Sequence, residues 1–158
     1  MPFDAPFILG PFAVDAMGRL APRGPEALPG FYFRWRRRVI HAKFEHTDRA
    51  RSRLMLQATL GRVPSTANPR DSALRPQSFQ LLHLLPRALP RPWRVSLLPD
   101  HRVQLEANSQ VTLPITAIDL LVELTRFLLE LTPYLDLLDE AGIAGASVEP
   151  GKLNTWPG

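Results

Sequence analysis

The chain of 158 residues has 45% hydrophobic residues, 8% aromatic residues and a net charge of +4. These values fit one globular domain and argue against disorder along the whole chain. A chain of this length buries about two-thirds of the surface that its unfolded form exposes, so it can build its own core. It contains no cysteine, which excludes disulfides, thiolate nucleophiles and zinc sites that use cysteine.

The net charge is divided unevenly along the chain. Residues 1–113 carry 16 Arg and one Lys against eight acidic residues, a net charge of +9. Residues 114–158 carry one Arg and one Lys against seven acidic residues, a net charge of −5. We expect the two parts to face each other inside the fold or across a subunit contact. The surplus of arginine also fits solvated outer faces or, alternatively, attraction to nucleic acid or anionic membranes.

The sequence predicts a cytoplasmic protein without a membrane span. The chain starts Met1-Pro2-Phe3-Asp4 and shows neither the basic nor the apolar region of a secretory signal. The longest apolar stretch, residues 115–138, is interrupted by charged residues. A transmembrane helix needs about 20 predominantly apolar residues, so we expect none here.

The first thirty residues are predicted to form a hairpin followed by a loop. Residues 1–10 are either an arm or a first strand. Residues 12–20 are typical of a hairpin, because Asp15 opens a turn and Gly18 supplies the positive φ that a three-residue loop needs. Three prolines and two glycines in residues 21–30 predict a loop there.

The strongest strand signal covers residues 31–45. Its apolar residues lie on one side of the strand first and then change to the opposite phase: Phe31, Phe33 and Trp35, followed by Ile40, Ala42 and Phe44. A strand cannot exchange its faces without a bulge or a turn. We therefore predict an irregularity at residues 36–38, either a bulge in one long strand or a tight turn between two.

The middle of the chain is predicted to contain one strand and one short helix between loops. Polar residues 46–53 indicate a loop, residues 54–60 alternate as a half-buried strand, and residues 61–75 indicate a long loop. Pro76 suits the first position of a helix, where its missing N–H costs nothing. Pro86 is expected to end that helix.

The last helix has the clearest pattern. Thr116 and Asp119 resemble a capping box just before an apolar run. Pro133 predicts a kink or short break, and Gly142 is expected to end the element. Six leucines follow alternating spacings of three and four, the a/d pattern of a heptad: Leu121, Leu124, Leu128, Leu131, Leu135 and Leu138.

These elements predict an α+β fold. A second hairpin is expected within residues 93–107, so strands, a helix, a hairpin and a long helix follow one another without βαβ units. We expect an antiparallel sheet of about five or six strands, with one short helix and one long C-terminal amphipathic helix packed on it. Residues 1–141 form this single domain, and residues 142–158 form a flexible tail in which Trp156 is the one large anchor.

No catalytic or metal motif is recognisable. The four histidines form no His-x-x-x-His or His-x-His pair: His41, His46, His83 and His101. Serine-nucleophile motifs and phosphate-binding glycine loops are missing as well. Acidic residues Asp136, Asp139 and Glu140 oppose the helix dipole at the end of the last helix, and arginines of the sheet are natural partners for them. We expect neither an enzyme, nor a cofactor, nor a metal site.

The arginine-rich strand is a candidate site for anions or nucleic acid. Aromatic and basic residues are interleaved within residues 31–43, and such a surface can stack bases and hold phosphates. The residues that would contact the ligand are Arg34, Arg36, Arg38 and Lys43. In the alternative interpretation the aromatic residues point into the core and the arginines point into water.

The leucine stripe of the last helix is a candidate interface. It is either the face packed on the protein's own sheet or a contact with another chain. Other faces of this helix are apolar too, and one small sheet covers one side of a helix. We therefore predict a homodimer or a partner protein, with the interface formed by Leu121, Leu124, Leu128, Leu131, Leu135 and Leu138.

Two functions from different classes follow. The first is a non-enzymatic, protein-binding or adaptor-like domain that self-associates through residues 116–140. The second is a nucleic-acid-binding domain that uses residues 31–43. The late hairpin followed by a long amphipathic helix is also similar to small dimeric α+β binding proteins such as type III secretion chaperones, which implies a chaperone-like binding protein. This chain has no obvious N-terminal helix, and its pI of about 10.3 contrasts with those acidic proteins.

Overall fold

A computed structural model describes residues 5–22, 29–48 and 51–143, and it confirms the predicted α+β class. One sheet has three strands in the order β1-β2-β3, and the other has five in the order β4-β5-β6-β8-β7. All neighbouring strands are antiparallel. The elements are β1 (Phe7–Leu9), β2 (Phe12–Val14), β3 (Leu20–Pro22), β4 (Phe31–Trp35), β5 (Arg38–Asp48), β6 (Arg51–Arg62), α1 (Pro69–Ala88), β7 (Arg94–Leu97), β8 (Arg102–Val111) and α2 (Ala117–Glu140).

The core lies on one face of the five-stranded sheet, which we call the inner face. Its central side chains are almost completely buried: Ile40, Ala42, Leu54, Leu56, Ala58, Leu60, Val103 and Leu105. Residues from α1, α2 and the small sheet complete this cluster. The opposite face, which we call the outer face, carries the alternating polar residues of the same strands. The domain is therefore a layer of helices and a small sheet packed on one side of a larger sheet.

The small sheet contains the predicted hairpin. The Asp15 Oδ1 atom accepts hydrogen bonds from the backbone N–H groups of Met17 and Arg19, at 2.8 and 2.9 Å. Gly18 takes a φ of 81°, as the hairpin requires. On β2, the ring of Phe12 contacts the ring of Phe31 edge-on at a centroid distance of 5.6 Å. This contact joins the small sheet to the inner face.

The irregularity predicted at residues 36–38 is a tight turn between two strands. Trp35 pairs with Arg38, and Arg36 and Arg37 form the two-residue connection with φ values of 46° and 65°. Positive φ at both central residues is the geometry of a type I′ hairpin, whose twist matches that of the flanking strands. Arginine is an unusual residue in this geometry, because its Cβ is crowded there.

One predicted loop is wrong, and another was predicted too long. The loop expected at residues 46–53 is replaced by strand pairing, because β5 extends to Asp48 and β6 begins at Arg51. Polar residues continue a strand when the backbone of a neighbouring strand is available for pairing. The loop expected at residues 61–75 shortens to residues 63–68.

Helix α1 is longer than predicted at both ends. It begins at Pro69, because the Asn68 side chain accepts a hydrogen bond from the N–H of Arg70 at 3.0 Å and Pro69 occupies the first turn. Pro76 and Pro86 lie inside this helix. A proline therefore starts the helix as expected, but it is Pro69, seven positions before the predicted Pro76.

Helix α2 begins as predicted. The Thr116 side chain accepts a hydrogen bond from the N–H of Asp119 at 3.1 Å. The helix runs through Pro133 as one element to Glu140, and Gly142 ends it with a φ of 84°. Ile143 is fully buried in the core. The tail predicted from residue 142 onward otherwise falls on residues 144–158, which lie outside the described residues.

Candidate interaction surfaces

Helix α2 has two apolar faces. Its inner side chains pack in the core: Leu120, Phe127, Leu131, Leu135 and Leu138. A second set faces away from the sheet, and we call it the outer stripe: Ile118, Leu121, Val122, Thr125 and Leu129. Side chains spaced by three and four residues share one helix face. The exposed fractions of the four large apolar members run from 48% for Ile118 to 69% for Leu129.

The predicted interface leucines are divided between these two faces. Leu131, Leu135 and Leu138 are completely buried, and Leu124 and Leu128 pack partly buried against the core. Leu121 is 56% exposed and belongs to the outer stripe. The heptad pattern therefore marks mainly the face that α2 turns toward its own sheet. In the sequence, the outer stripe was indicated by a second set of apolar residues at helical spacing.

Charged residues border one side of the outer stripe. Arg126 Nη1 lies 3.1 Å from Glu123 Oε1, and the other carboxylate oxygen of Glu123 accepts a hydrogen bond from the Ser109 hydroxyl at 2.8 Å. Asp119 precedes Arg126 by seven residues, or two helical turns, so both lie on the same border. The outer stripe is therefore apolar and has a negative residue, Asp119, and a positive residue, Arg126, on one border.

The small sheet holds the beginning of α2. The N–H of Ala117 donates to the Gly18 carbonyl at 2.8 Å, and the N–H of Leu20 donates to the Ile115 carbonyl at the same distance. Met17, beside these bonds, is 61% exposed. The outer stripe therefore starts at a point where backbone hydrogen bonds tie the helix to a second element.

Two of the four predicted anion-binding residues contact α2 instead. The Arg38 side chain is 2% exposed; it donates from Nη2 to Asp139 Oδ1 at 2.6 Å and from Nε to the Leu60 carbonyl at 2.9 Å. Arg36 Nη2 donates to Asp136 Oδ1 at 2.6 Å. The acidic end of α2 thus obtains the arginine partners that its charge requires, and Arg38 has a structural role.

The other two residues, Arg34 and Lys43, lie on the outer face. Tyr32 and Arg34 alternate on β4 with Phe31 and Phe33, which pack against the core. Lys43 Nζ lies 3.2 Å from Glu45 Oε1 on β5. Sequence alternation therefore correctly placed Phe31 and Phe33 against the core, whereas Trp35 at the end of β4 is 38% exposed, as is Tyr32 at 49%.

The three histidines whose side chains are described lie on different elements. His41 lies on β5 opposite Tyr32, with a distance of 6.0 Å between the ring centroids, and burial lowers the pKa of His41 below its ordinary value. His83 is exposed on α1, and His101 lies in the turn between β7 and β8 with a φ of 66°. The side chain of His46 is outside the described set. Among the described residues, no group of three or more histidine or acidic side chains is arranged to hold a metal.

A small cleft opens between α2, β8 and the segment before β7. It has a volume of about 260 Å³, and Trp93, Asn108, Glu123 and Arg126 line it together with neighbouring residues. The ring of Trp93 packs on that of Phe127 at 5.1 Å. The cleft is smaller than the roughly 300 Å³ at which ligand sites begin, and its charges are mixed.

Comparison of the chain with protein-family models, with curated proteins and with solved structures finds no match. The similarity to secretion chaperones therefore rests on the order of elements. Within residues 5–22, 29–48 and 51–143, no helix combines the length and hydrophobicity needed to cross a membrane.

Proposed function

We propose that the protein is a non-enzymatic binding domain that forms a homodimer through the outer stripe of α2. The observation that carries this proposal is the outward exposure of Ile118, Leu121, Val122 and Leu129 on one face of a helix whose other face is already buried. Apolar residues grouped in this way commonly mark a protein interface, because association removes them from water.

The occupant that best fits the outer stripe is a second copy of the chain. In an antiparallel helix pair, the same border of each helix lies beside that of the other. A twofold axis between Val122 and Thr125 places Ile118 against Leu129 of the second copy. The same arrangement brings Arg126 of each helix near Asp119 of the other, so opposite charges meet twice at the edge of the apolar contact. The stripe is therefore complementary to itself in both hydrophobicity and charge.

The outer stripe of α2 contributes to association, whereas its buried face contributes to folding. Leu131 and Leu135 hold α2 on the inner face and are fully buried within one chain. Changes in the outer stripe are therefore expected to affect association while the domain remains folded. This separation allows the interface to be tested without unfolding the domain.

Native mass spectrometry and light scattering test the dimer. We expect the unmodified protein to have twice the chain mass of 17.8 kDa. Leu129→Glu should give a monomer, because it places a charge in the apolar contact. Leu84→Glu is the matched control, since Leu84 is also exposed but lies on α1. A monomeric unmodified protein, or an L129E variant that stays dimeric, would contradict the proposal.

Charge reversal tests the antiparallel arrangement. Asp119→Lys alone and Arg126→Glu alone should each weaken the dimer, because like charges then meet across the twofold axis. The double variant should recover association, since it restores opposite charges in reversed order. If the double variant associates no better than the weaker single variant, the helices do not pair in this way.

A further inference from the structure

The outer face of the five-stranded sheet is strongly basic. Among the described side chains of its strands, the acidic residues are Glu45 and Glu106, and Asp100 in the adjacent turn pairs with Arg102. They are outnumbered by the basic residues of this face: Arg34, Lys43, Arg51, Arg53, Arg62, Arg94 and Arg102. On the other side, helix α2 is acidic, because Asp119, Glu123 and Glu130 are exposed or half-buried while Arg126 is the basic residue among them. Helix α1 is basic, with Arg70, Arg75 and Arg87 against Asp71. The uneven charge of the sequence therefore becomes a difference between the outer face of the sheet and α2.

One row of residues crosses all five strands of this face. Strand pairing aligns Tyr32, His41, Gln57, Glu106 and Arg94 in that order. Tyr32 is 49% exposed, so a face of its ring is accessible at the β4 end. Since neighbouring strands are about 4.8 Å apart, the row forms a platform close to 20 Å wide with an aromatic ring at one end and a guanidinium group at the other.

Basic residues surround the tyrosine. Arg34 follows Tyr32 on the same face of β4, two residues along, and Lys43 has the same relation to His41 on β5. Amide side chains follow on the neighbouring strands: Gln57, Gln104, Asn108 and Gln110. The face thus combines cations for phosphates, a ring for stacking, and amide groups that can both donate and accept hydrogen bonds.

We propose that the outer face binds single-stranded nucleic acid, with Tyr32 stacking on a base and Arg34 and Lys43 contacting phosphates. A sheet that displays an aromatic ring among basic side chains is a known solution for unpaired bases, since each base offers a π-face to stack on. An anionic membrane is a poorer fit. Met55 is the large aliphatic side chain at the centre of this face, and because it is half-buried it offers little surface for insertion into a bilayer.

The arrangement is compatible with the dimer and independent of it. Helix α2 lies on the inner face, so an α2-mediated contact leaves the outer face of each copy accessible. The acidic residues of α2 repel a polyanion from that helix and favour binding at the outer face. Loss of dimerisation by L129E should leave the intrinsic affinity of each outer face for a short oligonucleotide unchanged.

Fluorescence anisotropy with a labelled 15-nucleotide oligo(U) at several salt concentrations tests the proposal. We expect binding that weakens with salt. The variant Arg34→Ala/Lys43→Ala should bind about tenfold more weakly, and the slope of log K against log salt should fall by about 1.4, or 0.7 for each lost phosphate contact. Arg70→Ala/Arg87→Ala removes the same charge from α1 and is the matched control.

A second pair of variants tests the stacking. Tyr32→Ala should lower the affinity about tenfold, whereas Tyr32→Phe should retain it because the ring remains. Circular dichroism and urea unfolding verify that each variant is folded. The proposal is overturned if the oligonucleotide does not bind at low salt, if both double-alanine variants lose affinity equally, or if polyglutamate or anionic vesicles compete as effectively as unlabelled oligo(U).

Discussion

Arg38 and Asp139 join the start of β5 to the last turn of α2 through a contact of 2.6 Å between Nη2 and Oδ1. The arginine is 2% exposed, and it also donates hydrogen bonds to the carbonyls of Leu60 and Ile143, at 2.9 and 3.1 Å. One guanidinium group therefore joins two strands, the end of α2 and Ile143, three residues after that helix. It also offsets the unfavourable position of an acidic residue at a helix C-terminus.

Replacing Arg38 should destabilise the fold. We expect Arg38→Ala to lower the free energy of unfolding by about 3 kcal/mol, because buried carbonyl and carboxylate oxygens lose their donor. Arg38→Lys should not restore the stability, since an ammonium group cannot reproduce the planar set of donors. Urea denaturation measures both changes. Arg36→Ala is the control at an exposed ion pair and should cost less than about 1 kcal/mol; an equal cost at both positions contradicts the distinction.

Arg37→Gly should stabilise the protein. Arg37 has a φ of 65° in the turn between β4 and β5, where a Cβ costs about 1 kcal/mol. Glycine removes this crowding at the second position of a type I′ turn, where it is preferred. We expect a higher thermal midpoint. Arg36→Gly removes similar crowding but also the ion pair with Asp136, so it should give a smaller gain or none. A lower midpoint for R37G contradicts the argument.

Gly142→Ala should be one of the more damaging small substitutions. Gly142 has a φ of 84°, and a Cβ there would lie 2.9 Å from Leu74 Cδ1 and 3.2 Å from Pro64 Cγ. Backbone strain and crowding together should cost about 2–3 kcal/mol in chemical denaturation. At Gly10 the φ is also positive, 55°, but no atom lies within 4 Å of the added Cβ. Gly10→Ala should therefore cost about 1 kcal/mol from strain alone, and equal costs would show that crowding at Gly142 is unimportant.

The stability should fall in mildly acidic solution, with a contribution from His41. Burial lowers the pKa of His41 from its ordinary value of 6.5, so below that pH the unfolded chain takes up a proton more readily than the folded one. The contribution is fully present above about pH 6.5, is lost as the pH falls, and levels off below the folded-state pKa. Tyr32 and Gln57 face His41 from the neighbouring strands, and Lys43 lies on its own strand.

Urea midpoints at pH 8 and pH 5 measure this effect. His41→Gln should reduce the loss of stability between the two pH values. His83→Gln, at an exposed position on α1, is the matched control and should leave the loss unchanged. If H41Q loses as much stability as the unmodified protein, His41 does not contribute to the acid sensitivity.

Local pattern determined the fold class and several elements. Alternation in Phe31–Trp35 and in the strand around Leu56 depends on the pleat of each strand, which the residues themselves specify. The phase change near residue 37 required a turn or bulge for the same reason. The cap at Thr116 and the turn at Gly18 also follow from short-range hydrogen bonding and backbone geometry. These features were predictable because their physical causes lie within a few residues of one another.

Element ends and the direction of each helix face were decided by tertiary contacts. Residues 46–48 continue β5 because β6 is available for pairing, and Asn68 starts α1 earlier than Pro76. The candidate sites changed for the same reason. In the sequence Arg38 has the same strand phase as the outward Arg34. The two-residue turn at Arg36 and Arg37 changes that phase, so Arg38 points inward to Asp139, on a helix about one hundred residues later.

The same division applies to α2. Its sequence showed that more than one side of the helix is apolar, because helical periodicity is a local property. Which leucines are buried depended on where the inner face of the sheet lies, and this left Leu131 in the core and Leu129 exposed to solvent. Helical periodicity alone therefore shows that α2 has a surplus apolar face. The tertiary structure decided which residues form it, because burial is set by elements far away in the chain.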